Sequence, residues 1–322
     1  MTGGPLFVSS GKAAADREYR SALECVARGD LAEAAEILQR TVELAPAFAT
    51  AWFALGAIRD NIGDTPGAIA AWQRARDADP EDYHGTRLQL ARLGTGEATP
   101  AMTATYVRRL FDQQAARFDE TLVERLNYRG PALLLDAVRK FAGIAPRLGS
   151  VLDLGCGTGL AGAAFRPYVD WLVGVDLSPA MIAQARAKSL YDRLNVSDVQ
   201  DCLDAEADAR AHYHLVLAAD VFVYFNDLAP VAAAAARVLA PAGLFAFTVE
   251  THPVDRVVLQ PTLRYAHGEA HVRTAIGKAG LKLLRLDQAS FRTEQGASVA
   301  CLVVVASNIV PMASNSTVSA ES

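Results

Sequence analysis

The stretch Val151-Leu152-Asp153-Leu154-Gly155-Cys156-Gly157-Thr158-Gly159-Leu160 constrains this chain more than any other part of it. A short apolar run broken by one acid gives way to glycines at alternate positions. The run predicts a buried strand, and glycine lets the backbone turn tightly after a strand and lie close to a bound molecule. The apolar residues that follow, through Phe165, predict the start of a helix. Strand, glycine turn and helix in that order form a nucleotide-binding element.

From there on the pattern alternates. Residues 171–176 read as a strand, and residues 179–189 as a helix opened by Pro179. A short strand near 194–196 leads to Ser197-Asp198, and another over 214–219 ends in Asp220. A helix at 231–239, a turn at Pro241-Ala242-Gly243 and a strand at 244–249 follow. A helix near 270–279 and two strands near 281–286 and 299–306 complete the run. Ahead of the glycine loop, Val107, Phe111, Phe118, Leu122 and Leu126 recur at helical spacing, which predicts one helix over 103–126. The phrase Phe111-Asp112 is echoed by Phe118-Asp119 within it. Tyr128-Arg129-Gly130-Pro131 ends that segment before an amphipathic helix at 132–142. Alternation of this kind calls for a doubly wound α/β sheet.

The loop by itself suits two cofactors. Gly157-Thr158-Gly159-Leu160-Ala161-Gly162 matches the dinucleotide spelling GxGxxG, and Asp176 stands 21 residues after Gly155 (176 − 155), where an acid accepts ribose hydroxyls. Three features favour S-adenosylmethionine over NAD. Asp153 offers a carboxylate to the ammonium of a methionine tail, where a pyrophosphate would want uncharged surroundings. Gly155, Gly157 and Gly159 clear room for the tail and ribose. Asp198 can accept from an adenine amino group, and Asp220 ends the fourth strand beside the same crevice.

These residues, with Pro241-Ala242-Gly243, resemble the class I S-adenosylmethionine-dependent methyltransferases over about residues 105–306. The resemblance implies a Rossmann-like sheet of seven strands with the last pair antiparallel, S-adenosyl-L-methionine as methyl donor and S-adenosyl-L-homocysteine as product. Asp153, Gly155, Cys156, Gly157 and Gly159 would then border the tail and ribose, and Asp176 would hold the ribose. Asp198 would hold the adenine, with Leu177 and Met181 flanking its ring and Asp220 beside the crevice. The helix before the sheet would cap the cofactor. The turn departs slightly from the family's usual Pro-Gly-Gly.

A second pattern lies in front. Pro46 and Pro80 are 34 apart (80 − 46), as are Gly29 and Gly63, Ala34 and Ala68, and Leu38 and Trp72. The second unit, with Trp52, Leu55-Gly56, Gly63, Ala68, Trp72, Ala75 and Pro80, resembles the tetratricopeptide repeat, in which small residues let paired helices approach closely. The first is more degenerate, with Glu18 at the Trp52 position. Two units need a neighbour to bury their faces, and residues 81–93 read as a capping helix. The resulting organisation is a flexible start (1–14), an all-α repeat domain (15–95), a linker (96–103), the methyltransferase domain (104–306) and a disordered tail (307–322). Bacterial methyltransferases with such an N-terminal region are similar. The repeats would bind a protein partner or mediate self-association.

The acceptor is a small molecule or protein methylated on O or N, less readily on C, and no motif fixes a base. Candidates follow the fourth and fifth strands: Tyr224, His252, and His267 within Arg264-Tyr265-Ala266-His267. A partner-binding protein with a silent cofactor domain is the rival reading. Composition narrows the rest. A net charge of −5, from 31 basic and 36 acidic residues, gives no electrostatic case for nucleic acid. The four cysteines are dispersed without a CxxC pair, which argues against structural zinc and for a reducing compartment. No metal is expected. No apolar run is long enough to span a bilayer and no signal peptide is visible, so the expected location is cytoplasmic.

Overall fold

A computed structural model describes residues 7–95, 102–141, 147–294 and 296–308. Most of the expected linker (96–103) and tail (307–322) lies outside the described residues, as do residues 1–6. Ser307 and Asn308 are ordered, with the Asn308 N–H donating to the Gly243 carbonyl at 3.0 Å.

The N-terminal region is helical: α1 (Ala13–Arg28), α2 (Leu31–Leu44), α3 (Ala49–Asn61) and α4 (Thr65–Ala78). Both bounds of α4 lie 34 residues beyond those of α2 (65 − 31 and 78 − 44). Gly29 and Gly63 end α1 and α3 with φ of +87° and +86°, a left-handed stop that glycine adopts without strain. Tyr19, Leu38, Leu55 and Trp72 are fully buried between the helices. The expected capping helix is shorter than its apolar spacing implied. The Asp79 carboxylate accepts the Tyr83 N–H at 2.7 Å, and Asp82 and Gly85 take positive φ, so the chain turns there and only α5 (Thr86–Arg92) is helical.

The helix expected over 103–126 is interrupted. It comprises α6 (Ala104–Gln114), a 3₁₀ turn (Ala115–Arg117) and a π turn (Glu120–Arg125). Val107, Phe111, Phe118 and Leu122, spread along this interrupted segment, all line one cavity. α7 (Gly130–Arg139) follows, opened by Pro131.

The remaining elements are β1 (Ser150–Leu154), α8 (Leu160–Phe165), β2 (Trp171–Asp176), α9 (Pro179–Ala187), β3 (Arg193–Val196), α10 (Val199–Asp208) and β4 (Tyr213–Ala218). Then come α11 (Ala229–Val238), β5 (Leu239–Glu250), β6 (Val257–Leu259), β7 (Tyr265–His267), α12 (Glu269–Lys278), β8 (Lys282–Glu294) and β9 (Ala297–Ser307). Seven strands form one sheet in the order β3-β2-β1-β4-β5-β9-β8. β1 to β5 are parallel, and β9 runs antiparallel to β5 and β8. α10, α11 and α12 pack on one face and α7 and α8 on the other. Burial on both faces is why the central strands read as near-continuous apolar runs.

Three expectations change. The last two strands are longer than their apolar stretches, β8 with 13 residues and β9 with 11, because they pair as a hairpin beyond the sheet core. The segment before α12 is a small hairpin, β6 with β7, rather than a loop. The turn at Pro241–Gly243 falls inside β5 as an irregularity, with Ala242 at φ +61°. An L side chain is strained in that region, so Ala242→Gly is expected to raise stability by up to about 1 kcal/mol in chemical denaturation.

Candidate functional site

The chain reverses direction across the sheet between β1 and β4, with β2 and β3 on one side and β4 and β5 on the other. A crevice opens at the carboxyl edge of such a reversal. Here it is a cavity of about 290 Å³ between the glycine loop, the segments that follow β2, β3 and β4, and the strip from Met102 to Pro131 above them.

Gly155 begins the floor at φ +61°. A Cβ there would lie 2.6 Å from a methyl of Val221, so both the backbone conformation and its neighbour exclude a side chain. The next free N–H, of Gly157, donates to Asp176 Oδ2 at 2.9 Å, and the Ser178 N–H donates to Asp176 Oδ1 at 2.8 Å. One carboxylate therefore ties the loop after β1 to the turn after β2. Burial pushes the Asp176 carboxyl up to about 6, against the pull of these two N–H groups. Leu177 and Cys156 line the cavity beside it, and burial raises the Cys156 thiol well above its usual range. Asp198 caps α10, accepting the Gln200 N–H at 2.7 Å.

At the other end, Asp220 sits at φ +61° with its N–H donated to Thr248 Oγ1 at 2.9 Å. Its Oδ2 accepts from Arg292, while its buried Oδ1 has no partner. Burial raises this carboxyl to about 6, with Arg292 opposing and Glu250 reinforcing the shift. Arg292 is 1% exposed and also bonds Glu250 and Glu294; Arg264 bridges the same two acids at 2.6 and 2.7 Å. Burial works against the charge of Arg292, and the three carboxylates together hold it protonated.

The roof is apolar. Val107, Phe111, Phe118 and Leu122 face the cavity, and Phe111 meets Phe118 and Tyr224 edge-on at 5.9 and 5.4 Å. The paired acids in this strip are its latches. Asp112 accepts from the Ser178 hydroxyl at 2.5 Å, and Asp119 accepts from the Thr158 hydroxyl and from Lys188 at 2.5 Å. The recurrence of Phe-Asp seven residues apart (118 − 111) thus supplies two ring walls and two anchors. The cavity wall carries three carboxylates, Asp176, Asp198 and Asp220, and no Lys, Arg or His among the described residues.

Other expected residues lie elsewhere. Asp153 does not line the cavity. Its Oδ2 accepts the Tyr191 hydroxyl at 2.6 Å, its Oδ1 is unpaired, and burial raises it to about 7. Gly159 and Gly162 face the Tyr191 ring, 3.1 and 2.4 Å from where their Cβ atoms would be. The literal GxGxxG match therefore reflects helix packing against a tyrosine. Met181 is fully buried on α9 and is not among the residues that line the cavity. His267 is fully buried on β7, with Nε2 3.1 Å from the Phe222 carbonyl, and burial lowers it to about 4. His252 spends both ring nitrogens on its own turn, at Arg256 O and Val254 N. The β6–β7 hairpin explains His267, since pairing 265–267 as a strand turns that segment into the protein. Of the three acceptor-side candidates, Tyr224 alone lines the cavity, and burial raises its phenol. Sequence reasoning missed Tyr191 and Arg292. Neither carries a local signal, because each acts on a residue 38 or 72 positions away.

Residues 151–243 match the family model described as a methyltransferase domain. Human methyltransferase-like protein 27 is 40% identical over 87 residues, 27% of this chain and 35% of that protein. Malonyl-[acyl-carrier protein] O-methyltransferase of Methylovorus sp. (strain MP688) is 33% identical over 150 residues, 44% of this chain and 49% of that one. The chain thus spans about a third to a half of the length of these curated relatives. Among solved structures, 1,6-didemethyltoxoflavin-N1-methyltransferase of Burkholderia thailandensis, with bound 1,6-didemethyltoxoflavin and S-adenosylhomocysteine, aligns at a TM-score of 0.50 and 19% identity. That alignment covers 66% of this chain and 92% of that one, and it is a likeness of fold.

Proposed function

We propose that this chain, which carries a class I S-adenosylmethionine-dependent methyltransferase domain, binds S-adenosylmethionine in the cavity and transfers its methyl group to an O or N atom of a small molecule or protein, leaving S-adenosylhomocysteine. The observation that carries this reading is the row of carboxylates, Asp220, Asp176 and Asp198, along the carboxyl edge beside Gly155 and Gly157. The residues fit the cofactor. Gly157 is at φ +55°, a conformation that favours glycine, and a Cβ there would project into the cavity toward the Phe118 ring, 3.7 Å away in ordinary van der Waals contact. Asp220, which adjoins Gly155 through Val221, offers its unpartnered Oδ1 to the ammonium of the tail, the part expected of Asp153. Asp176 keeps lone pairs for ribose hydroxyls and Asp198 for the adenine amino group.

Bound there, the cofactor supplies an activated methyl group on a sulfonium. The chain's own contribution is to hold and to exclude water. Phe111, Phe118, Leu122 and Tyr224 close an apolar roof over the acids. The three carboxylates are taken up by the cofactor, and among the described residues no Lys, Arg or His on the wall would pair with an acceptor carboxylate, so a neutral or cationic acceptor is favoured over one bearing a carboxylate.

We read α1 to α4 as two tetratricopeptide units with α5 as their cap, supported by the 34-residue recurrence of α2 in α4 and of Gly29 in Gly63. On this reading the repeat domain spans about 15–95 and the catalytic domain about 104–306, joined through 96–103.

Calorimetric titration tests the function. S-adenosylmethionine and S-adenosylhomocysteine are expected to bind and NAD is not; binding of NAD alone would replace the reading. The pH dependence has a definite sign. Ribose hydroxyls and an ammonium donate to ionised carboxylates, whereas Asp176 and Asp220 hold protons up to about pH 6 in the free chain. Binding therefore releases protons, and affinity is expected to be greatest above about pH 7 and to fall at least about tenfold by pH 5. Titration in buffers of different ionisation heat counts the protons released.

A further inference from the structure

The roof helix α6 is held on two sides, and one of them belongs to the N-terminal helices. The guanidinium of Arg109 lies 3.9 Å from the centroid of the Tyr83 ring, in the turn before α5. Three residues earlier on α6, Tyr106 packs on the bare backbone of Gly85; a Cβ at that position would stand 2.6 Å from its ring. Gly85 is at φ +72°, so the turn needs glycine for its conformation as well as for this contact.

That turn is stiff. Asp79 accepts the Tyr83 N–H at 2.7 Å and meets His84 Nδ1 at 3.0 Å. The other ring nitrogen of His84 lies 3.0 Å from Thr50 Oγ1 on α3, and its ring sits 5.6 Å from that of Phe53. Tyr83 and Gly85 are therefore presented to α6 from the body of the helical region.

α6 has little support of its own. None of its eleven residues is fully buried. Val107 and Phe111 face the cavity, and Asp112 ties the helix to the start of α9. A helix so lightly packed opens at a small free-energy cost unless a neighbour holds it.

We propose that Tyr83 and Arg109, with Gly85 and Tyr106, are positioning residues for the methyl-donor site: the N-terminal helices seat α6 through them, and so keep Val107 and Phe111 over the bound cofactor. This rests on the reading of the cavity as an S-adenosylmethionine site. It gives the helical region a role in cofactor retention whether or not it also takes a partner.

The test uses the full chain with S-adenosylhomocysteine as probe. Arg109→Ala and Tyr83→Ala are each expected to weaken its binding by about three- to tenfold, chiefly through faster dissociation. The double variant should do no worse than the stronger single one, because both remove one contact. Amide hydrogen exchange over 104–114 is expected to rise in these variants while the melting midpoint stays within a few degrees of wild type. Tyr83→Phe keeps the ring face and is expected to restore both readouts. Unchanged affinity and exchange in Arg109→Ala and Tyr83→Ala, in a chain that binds the probe, overturns this inference alone. A wild-type chain that does not bind the probe overturns the cofactor reading and this inference with it.

Discussion

Replacing Asp176 with alanine is expected to lower the affinity for S-adenosylmethionine about a hundredfold, a loss of roughly 3 kcal/mol. Two effects add. The ribose loses a charged acceptor, and charge-assisted hydrogen bonds are the stronger kind. The N–H groups of Gly157 and Ser178 lose the carboxylate that ties the glycine loop to the turn after β2. Asp176→Asn separates the two contributions. Its amide keeps one acceptor but points a donor at one of those N–H groups, so it should recover little of the affinity. Calorimetry at pH 7.5 measures both variants, and an affinity for Asp176→Ala within threefold of wild type would place the ribose elsewhere.

Arg292→Met should have the largest effect on stability, about 3–5 kcal/mol. Arg292 is the shared partner of Asp220, Glu250 and Glu294, and it is 1% exposed. Its removal leaves Arg264 to balance three buried or partly buried acids, and the uncompensated charge carries most of the cost. The melting midpoint is expected to fall by about 10 °C. Arg273→Met is the control, since its ion pair with Glu269 is exposed on α12 and should be worth under about 1 kcal/mol. Equal effects of the two substitutions would mean that the buried network does not hold the end of β4 as described.

The floor of the site was legible in the sequence because its determinants are local. Gly155 and Gly157 are needed where a strand turns into a loop, and Asp176 and Asp198 end the next two strands. Each of these positions follows from order along the chain. The paired Phe-Asp phrase was also visible, though its purpose was not. Only the fold shows that Phe111 and Phe118 form a wall while Asp112 and Asp119 reach Ser178, Thr158 and Lys188. Asp153 shows where such reasoning stops. An acid at the end of a strand points to one of two faces, and spacing alone does not say which face borders the crevice. Here it borders Tyr191, and Asp220 is the acid that lines the cavity. His267 fails for a related reason: a polar cluster before a helix reads as a loop, until pairing with 257–259 makes it a buried strand.

What the sequence by itself determined is therefore the glycine loop, the acids at successive strand ends and the 34-residue period of the N-terminal helices. All three are set by short-range backbone requirements or by repetition, which a single chain displays directly. Tertiary structure alone decided which carboxylates face the cavity, which aromatic rings cover it, and that Arg292, Arg264, Glu250 and Glu294 form one network behind Asp220. Those groups come from segments far apart in the chain, and side-chain direction and burial are properties of packing that no local pattern encodes.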